Sequence, residues 1–274
     1  MCSCRIEGVQ TLKIATWNIN SVRHRLALVT RFLRDEQPDV LCLQETKVED
    51  GLFPAEAFRK LGYTHQAIHG QKAYHGVAVL AKAPFRETGV QDFCRHGHAR
   101  HMGVTLANGV ELHNFYVPAG GDIPDPKAND KFAHKLHFLA GMEKFFAKRK
   151  AKNDPVILVG DLNVAPLEND VWNHKQLLGI VSHTPVETKL LGEAQAAFDW
   201  IDTTRHFIPP EEKIYSWWSY RAADWEASDR GRRLDHVWAS AGLKGALKSH
   251  KIVKKMRGWQ KASDHVPVVV EFQV

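Results

Sequence analysis

The chain has 274 residues, enough for one large domain or two small ones with a sizeable core. Its 44% apolar and 25% charged content is typical of a globular protein, and no apolar run approaches the ~20 residues that span a bilayer. The net charge of +6 and the pI of about 9.1 favour a polyanionic partner.

Helices and strands alternate along the chain. Apolar runs bounded by turn residues predict strands at 13–17, 39–43, 77–80, 104–106, 110–115, 156–159, 234–239 and 266–272. Helical spacing predicts helices at 22–33, 55–61 and 132–146, the first capped by Asn20 or Ser21. Asn108-Gly109 predicts a β-hairpin, and the region from about 164 to 230 is expected to be rich in loops. Residues 1–12 are an expected N-terminal extension, and 13–274 are expected to form one domain of two packed sheets with helices outside.

The cysteines and the N-terminus bear on the compartment. The first ten residues, MCSCRIEGVQ, lack the apolar core of a signal peptide. Cys42 lies in a predicted buried strand, so a disulfide framework is not expected. Cys2 and Cys4 lack an obvious second pair of zinc ligands. We therefore expect a cytoplasmic protein.

The most informative stretch is the apolar run 156–159, which leads into Gly160-Asp161-Leu162-Asn163. In an extended segment the side chains of residues i and i+2 point to the same side. Asp161 and Asn163 therefore either form an Asx turn that caps the strand or face a common site. Polar residues also follow or interrupt other predicted strands, which indicates one shared rim: Asn18, Asn20, Glu45, Tyr116, Asp235, Asp264 and His265.

The residue types at this rim favour a particular chemistry. Carboxylates and amide oxygens suit Mg²⁺ or Mn²⁺ and disfavour Zn²⁺. His265 is a candidate base or phosphate donor, and Asp235 could fix its tautomer. Asp161 could orient or deprotonate a water, while Asn163 and His265 contact phosphate oxygens. This set predicts metal-assisted attack of water on a phosphodiester.

Seven segments carry a family resemblance, and they occur in family order from residue 13 to residue 272. They are TWNIN, LCLQETK, NFYVP, VGDLNVAP, YSWWSYR, RLDHVWAS and SDHVPV. This ordered set resembles the exonuclease III family of AP endonucleases. The resemblance implies an α/β fold, a four-layered α/β sandwich of two packed mixed β-sheets flanked by helices. It also implies a monomer that cuts double-stranded DNA 5′ to an abasic site, leaving a 3′-hydroxyl, with 3′-exonuclease or 3′-repair activity.

The resemblance also implies roles for single residues. Glu45 resembles the principal metal ligand, with Asn18 and Asp264 near the same ion, and the implied metal set extends to Asp161, Asn163 and His265. Asp161 resembles the residue that activates water, and Asn163 the transition-state stabiliser. Tyr116 matches a tyrosine that contacts the scissile phosphate, and Asp235 with His265 matches an acid–histidine pair. Which residue is the base stays open.

The implied DNA contacts include two departures from the family pattern. Trp217 and Leu234 match the pocket for a flipped-out abasic sugar. Some members have a tryptophan where this chain has Arg232, which would make the pocket wall more polar or swing out to a phosphate. Ala119 stands where members often have Asn or Gln. Arg221 and Lys47 are further candidate DNA contacts.

Three alternatives remain at this point. An exonuclease-dominant member would have weak abasic-site activity. A non-catalytic DNA-binding relative would have lost an acid or the histidine, yet all are present. An enzyme of the same fold class acting on another phosphoester fits the TWNIN, QETK and SWW segments poorly. Separately, the histidine-rich stretch 94–101 matches no closed zinc site, so a basic loop that contacts the DNA backbone is favoured.

Overall fold

The computed structural model describes residues 11–93, 96–149, 151–222 and 224–274. The strands are β1 (Thr11–Asn18), β2 (Val40–Gln44), β3 (His65–His69), β4 (Val77–Ala81), β5 (Phe85–Gly89), β6 (His101–Leu106), β7 (Glu111–Tyr116), β8 (Val156–Asp161), β9 (Ile201–Asp202), β10 (Trp217–Trp218), β11 (Gly231–Arg232), β12 (Asp235–Ala239), β13 (Leu247–Ile252) and β14 (Val268–Gln273). The α-helices are α1 (Leu26–Glu36), α2 (Ala55–Arg59), α3 (Asp130–Ala147), α4 (His174–Leu177), α5 (Pro185–Ala196), α6 (Thr203–Phe207) and α7 (Trp225–Ser228).

Two six-stranded mixed sheets form the centre of the fold. The first has the order β13-β14-β1-β2-β4-β3 and the second the order β5-β6-β7-β8-β12-β9. One buried cluster, which includes Ile14, Leu112 and Ile157, fills the space between the sheets. Two further clusters pack helices against the outer faces, α1 against the first sheet and α3 with α5 against the second. The result is the predicted four-layered α/β sandwich.

The central strands are apolar on both faces because each face is covered. In β8, Ile157 belongs to the inner cluster and Leu158 to the outer one, in the alternation expected of a strand. Cys42 in β2 is likewise fully buried and has a free thiol. This explains why unbroken apolar runs, and not alternating ones, marked the central strands in the sequence. The Asn108-Gly109 hairpin is also confirmed, with Gly109 at φ +83° between β6 and β7.

The structure corrects two predictions of local structure. The first helix begins at Leu26, not at residue 22, and no side chain caps it. Asn20 and Ser21 adopt positive φ in a turn before it, which Ser21 N holds by donating to Glu45 O at 2.7 Å. The region expected to be loop-rich contains helix α5, which begins with a capping box of Thr184 and Glu187. Only a few of its residues are buried, so its apolar periodicity is weak.

Some predictions fall on residues outside the described ranges. Residues 1–10, with Cys2 and Cys4, and residues 94–95, with Cys94, are in this group. Strand β1 begins at Thr11, two residues before the expected start of the domain at 13. Among the described residues, no helix is both long enough and apolar enough to cross a membrane.

A polar contact crosses the core just below one end of the two sheets. Gln44 Nε2, at the end of β2, donates to Thr16 Oγ1 at 2.8 Å and to Asn114 Oδ1 of β7 at 2.7 Å. Asn114 Nδ2 in turn donates to the main-chain oxygens of Leu43 and Ala78, both at 3.0 Å. All these side chains are fully buried. Because the contact is directional, it fixes the position of the first sheet relative to the second at this end.

Gly160 in β8 allows a close approach of β7. Its φ is +141°, and a Cβ built there would lie 1.9 Å from the main-chain oxygen of Phe115. Gly160→Ala should therefore force β7 and β8 apart and destabilise the fold by about 1–3 kcal/mol or more, which urea unfolding would measure. Gly192→Ala in α5 is the matched control, because a Cβ there meets open space. That control should be neutral or slightly stabilising. Equal stability of both variants would contradict this account of Gly160.

Candidate active site

The register of the strands brings the polar strand ends together. β7 and β8 are parallel with Tyr116 opposite Asp161, and β8 and β12 are antiparallel with Asp235 opposite Asp161. β1 and β2 are parallel and end at the same edge of the first sheet. A groove of about 880 Å³ opens over this rim, and its lining includes Glu45, Ala119, Asn163, Trp172, Trp217, Arg221, Arg230, Arg232, Leu234, Asp264 and His265. The predicted shared rim is therefore present.

Asn18 joins two acids that belong to different sheets. Its Nδ2 donates to Glu45 Oε1 and to Asp161 Oδ2, both at 2.8 Å. Its Oδ1 accepts the main-chain N–H of Asn20 at 3.1 Å, which fixes the orientation of the amide. Glu45 has the left-handed φ of +49°, which turns the chain at the end of β2. Lys47 Nζ lies 2.8 Å from Glu45 Oε2, so one cation already binds this carboxylate.

His265 and Asp235 form the predicted acid–histidine pair. His265 Nδ1 lies 2.8 Å from Asp235 Oδ2, and the same oxygen accepts Ser216 Oγ–H at 2.6 Å. The other ring nitrogen, Nε2, lies 3.7 Å from Asp161 Oδ2. The chain of contacts Asp235–His265–Asp161 is almost fully buried. His265 therefore has its tautomer and ring plane set by Asp235, with Nε2 directed at Asp161.

The charges of this group are coupled through burial. Burial raises the pKa of Asp161 to about 7, a shift that His265 opposes and that Asp235 and Glu45 strengthen. Burial alone would lower the pKa of His265, but the neighbouring Asp235 and Asp161 outweigh it and raise the pKa to about 10. His265 is therefore cationic at neutral pH, and Asp161 is the acid that most readily takes up a proton.

Asp161 and Asn163 combine the two interpretations that the sequence left open. Asn163 N donates to Asp161 Oδ1 at 2.9 Å, which is an Asx turn, and Asn163 has φ +53°. Asn163 Nδ2 donates to Asp161 Oδ2 at 3.0 Å and to Val117 O at 2.9 Å. The turn thus holds the amide of Asn163 over the buried carboxylate. Asn163 lines the groove, whereas Asp161 lies directly beneath it.

A buried ion pair supports this turn from behind. Lys135 of α3 and Glu187 of α5 are both fully buried and in direct contact. Lys135 Nζ also donates to Asn163 O at 2.7 Å and to Ala119 O at 3.3 Å. Glu187 accepts the Oγ–H of Thr184 at 2.7 Å. A charge buried in this way is stable only while its partners stay in place, so the pair holds Asn163 to the helical layer.

Tyr116 and Asp264 complete the rim. Burial, with the negative charge of Glu45, raises the pKa of the Tyr116 hydroxyl well above its ordinary value, so the group stays protonated. The Arg100 guanidinium lies 4.6 Å from the centre of the Tyr116 ring. Asp264 Oδ1 accepts Asn20 Nδ2–H at 3.1 Å and Asp264 Oδ2 accepts Trp217 Nε1–H at 3.0 Å.

One wall of the groove is aromatic and cationic. The Arg232 guanidinium lies 5.2 Å from the ring centre of Trp217, and its Nη1 donates to Ser182 Oγ at 2.7 Å and to Val181 O at 2.9 Å. Of the two positions expected for Arg232, the structure shows the one in the wall. Leu234 packs against Trp217 from below.

The oxygen-rich donor set fits a hard divalent cation. Glu45 and Asn163 both line the groove, and Asn163 Nδ2 is bonded to Val117 and Asp161, which leaves Oδ1 as the amide atom that could bind an ion. Asp161, Asp235 and His265 also place one ligand atom each within 4.8 Å of one another, but an ion could bind there only in place of the proton on His265. Both oxygens of Asp264 accept hydrogen bonds, and so do both oxygens of Asp161, so either acid would have to exchange a bond in order to bind an ion.

The structure adds residues that the sequence analysis overlooked. Ser216 supports Asp235, and Arg230 lies 4.7 Å from the ring centre of Trp172 in the groove wall. Asn20, already expected at the rim, bridges Lys47 and Asp264. Ser216 lies within the YSWWSYR segment and could have been selected from it. Nothing in the local sequence indicated a role for Arg230, because its position in the groove wall depends on contact with the ring of Trp172, which is distant in sequence.

Comparisons with known proteins agree with this geometry. The model of the Endonuclease/Exonuclease/phosphatase family matches residues 15–265. The exodeoxyribonuclease III of Haemophilus influenzae is 31% identical, over 96% of this chain and 100% of that protein. An AP endonuclease structure from Archaeoglobus fulgidus has a TM-score of 0.88 at 31% identity, covering 96% of this chain and 100% of that one. A 3′ phosphatase from Neisseria, bound to a product DNA hairpin, has a TM-score of 0.87 at 30% identity with the same coverage of both chains. The chain therefore belongs to the exonuclease III family of AP endonucleases, within the endonuclease/exonuclease/phosphatase superfamily, and is a phosphodiester hydrolase.

Proposed function

We propose that this protein is a divalent-metal-dependent DNA repair phosphodiesterase. It cuts the DNA backbone 5′ to abasic sites, leaves a 3′-hydroxyl, and removes nucleotides or blocking groups from 3′ ends. The observation that carries the proposal is the buried contact chain Asp235–His265–Asp161 beside Glu45, at the floor of a groove with cationic walls. The relatives named exodeoxyribonuclease III, AP endonuclease and 3′ phosphatase support the substrate class.

In this mechanism Asp161 receives the proton of the attacking water. A pKa of about 7 lets the carboxylate ionise at neutral pH and still bind a proton in the transition state. His265, cationic and fixed by Asp235, faces the developing negative charge on the phosphate through Nε2. Asn163 Nδ2 becomes a phosphate donor when it exchanges its bond to Val117 O or Asp161 Oδ2 for one to the substrate.

Mg²⁺ or Mn²⁺ is the cofactor in this proposal. Glu45 is the principal ligand, with Asn163 Oδ1 and the neighbouring acids completing an oxygen-rich site. When bound, the ion supplies charge for the phosphate and the leaving oxygen. Lys47, which contacts Glu45 Oε2 here, would be free to contact the DNA backbone if an ion neutralised that carboxylate in its place. Tyr116, whose pKa is raised by burial, stays neutral and donates to the scissile phosphate.

Substrate choice rests on the groove wall. The flipped-out sugar of an abasic site needs room beside Trp217 and Leu234, where Arg232 now packs. A 3′-terminal phosphate or nucleotide needs less depth and gains from the positive charge of Arg232. The wall therefore favours 3′-end processing over abasic-site incision, although both activities use the same catalytic group. Arg221 is exposed at the rim of the groove, where it can contact a phosphate.

Incubation with duplex DNA that carries one abasic analogue, with Mg²⁺ and with a chelator, tests the function directly. Incision should need Mg²⁺, and Asp161→Asn or His265→Ala should each lower turnover by roughly 100-fold or more. DNA binding should change little, because neither side chain is a main source of positive charge in the groove. Asp199→Asn, an exposed acid paired with Lys152, is the control and should retain full activity. Absence of any Mg²⁺-dependent incision would rule out the proposed function, and full activity of either variant would refute that residue's role.

Arg232→Ala tests the role of the groove wall. Removal of the guanidinium opens space beside Trp217, so abasic-site incision should rise by about tenfold relative to 3′-end removal from a recessed duplex. Arg230→Ala is the matched control, because Arg230 lines the same groove but lies over Trp172. It should lower both activities alike through loss of charge. An unchanged ratio in Arg232→Ala would show that Arg232 contributes charge and not selectivity.

A further inference from the structure

Three histidines from distant parts of the chain meet outside the catalytic group. His96 and His98 lie just before β6, and His134 lies in the first turns of α3. Their ring centres are 5.3 Å apart for His96–His98, 4.7 Å for His96–His134 and 5.6 Å for His98–His134. We call these three residues the histidine triad. The proposed function uses none of them.

Two buried nitrogens of the triad have no hydrogen-bond partner among the described residues. His98 Nδ1 and His134 Nε2 are both buried, and within the described part of the chain neither donates nor accepts a hydrogen bond. A buried polar atom without a partner is destabilising, and such atoms are uncommon in native proteins. Two of them in one cluster of imidazoles point to a ligand that accepts nitrogen lone pairs.

The triad is neutral where it is buried. Burial, followed by the charge of Arg100, lowers the pKa of His98, and the same two causes lower the pKa of His134 to about 4. Neutral imidazoles carry no charge to offer a DNA phosphate, so the DNA contact expected for this stretch gains nothing from these two rings. They do carry the free lone pair that a metal ion requires.

The spacing of the rings matches a shared metal ion. With metal–nitrogen bonds of the usual length, an ion lies about 3.2 Å from each ring centre, and a tetrahedral angle separates the centres by about 5.2 Å. The three observed separations lie within a few tenths of an ångström of that value. We propose that His96, His98 and His134 bind a transition-metal ion of the zinc class, separate from the hard cation of the catalytic site. Imidazole nitrogen favours such ions over Mg²⁺.

Formation of this site requires a small adjustment. Among the described residues, only Asp161, Asp235 and His265 already hold their ligand atoms within 4.8 Å of one another. At least one triad ring must therefore rotate to converge on the ion, and exposed His96 is free to do so. Binding then fixes the segment before β6 to α3. His75 connects this position to the active site, with ring-centre distances of 4.5 Å to His98 and 6.1 Å to Tyr116.

Metal titration of the full-length protein tests the proposal, with Zn²⁺ alone and with Co²⁺ as a spectroscopic probe. The wild type in saturating Mg²⁺ should bind one ion that shows the visible bands of tetrahedral Co²⁺ and raises the melting temperature. His98→Ala/His134→Ala should lose that ion, its bands and the shift in melting temperature. His137→Ala is the matched control one turn along α3, and it should retain all three.

Two further variants distinguish metal binding at the triad from metal binding elsewhere in the protein. His265→Ala should keep the triad ion, which excludes zinc binding at the catalytic histidine as the source of the signal. Exposed His96→Ala should lower Zn²⁺ affinity at least tenfold without disturbing the fold, in case the double variant does not fold. Equal Zn²⁺ stoichiometry and affinity in the wild type and His96→Ala would overturn the proposal, as would loss of the signal in His265→Ala alone. Neither result depends on the nuclease activity.

Discussion

The arrangement of the site depends on one amide, the Nδ2 of Asn18. It donates to Glu45, which follows β2 in the first sheet, and to Asp161, which ends β8 in the second. Two carboxylates this close repel each other unless a donor lies between them. Asn18 supplies that donor without adding charge, so Glu45 stays available for a cation while Asp161 keeps a raised pKa. A lysine in its place would lower both pKa values and remove the difference between a metal ligand and a proton acceptor.

Directional contacts below the rim make this bridge possible. Gln44 and Asn114 join the same two sheets one layer deeper, and both are fully buried. Apolar packing alone tolerates small sliding of one sheet over the other, whereas buried hydrogen bonds lose their geometry when the sheets slide. The hydrogen bonds of Gln44 and Asn114 therefore set the distance between the two sheets, which Asn18 bridges. The three apolar clusters of the sandwich stabilise the fold. The buried hydrogen bonds of Gln44 and Asn114 fix the relative position of the two sheets, on which the geometry of the site depends.

An element could be predicted from the sequence where local contacts determine it, and could not where contacts between distant segments do. The central strands, the Asn108-Gly109 hairpin and α3 follow from local apolar patterns and turn chemistry. Helix α5 escaped prediction because it buries few residues, and α1 starts late because a turn stabilised by contacts with the segment after β2 precedes it. The polar residues at the ends of the predicted strands placed the acids and His265 at one rim, and the family resemblance implied their roles. The position of Arg232 against Trp217, and the meeting of His134 with His96 and His98, depend on contacts between segments that are distant in sequence.

The two cation sites that we propose differ in the chemistry of their ligands as well as in their position. At the rim, carboxylates and an amide oxygen surround the space next to Glu45, and the one imidazole among the predicted ligands is that of His265. That histidine is cationic and bonded to Asp235, so its lone pairs are not available to a soft ion. At the triad the imidazoles are neutral, and two have unpaired nitrogens. A hard ion such as Mg²⁺ prefers the rim, and a borderline ion such as Zn²⁺ prefers the histidine triad. Because His75 lies between them, occupancy of the second can alter the packing around Tyr116 without competing for Glu45.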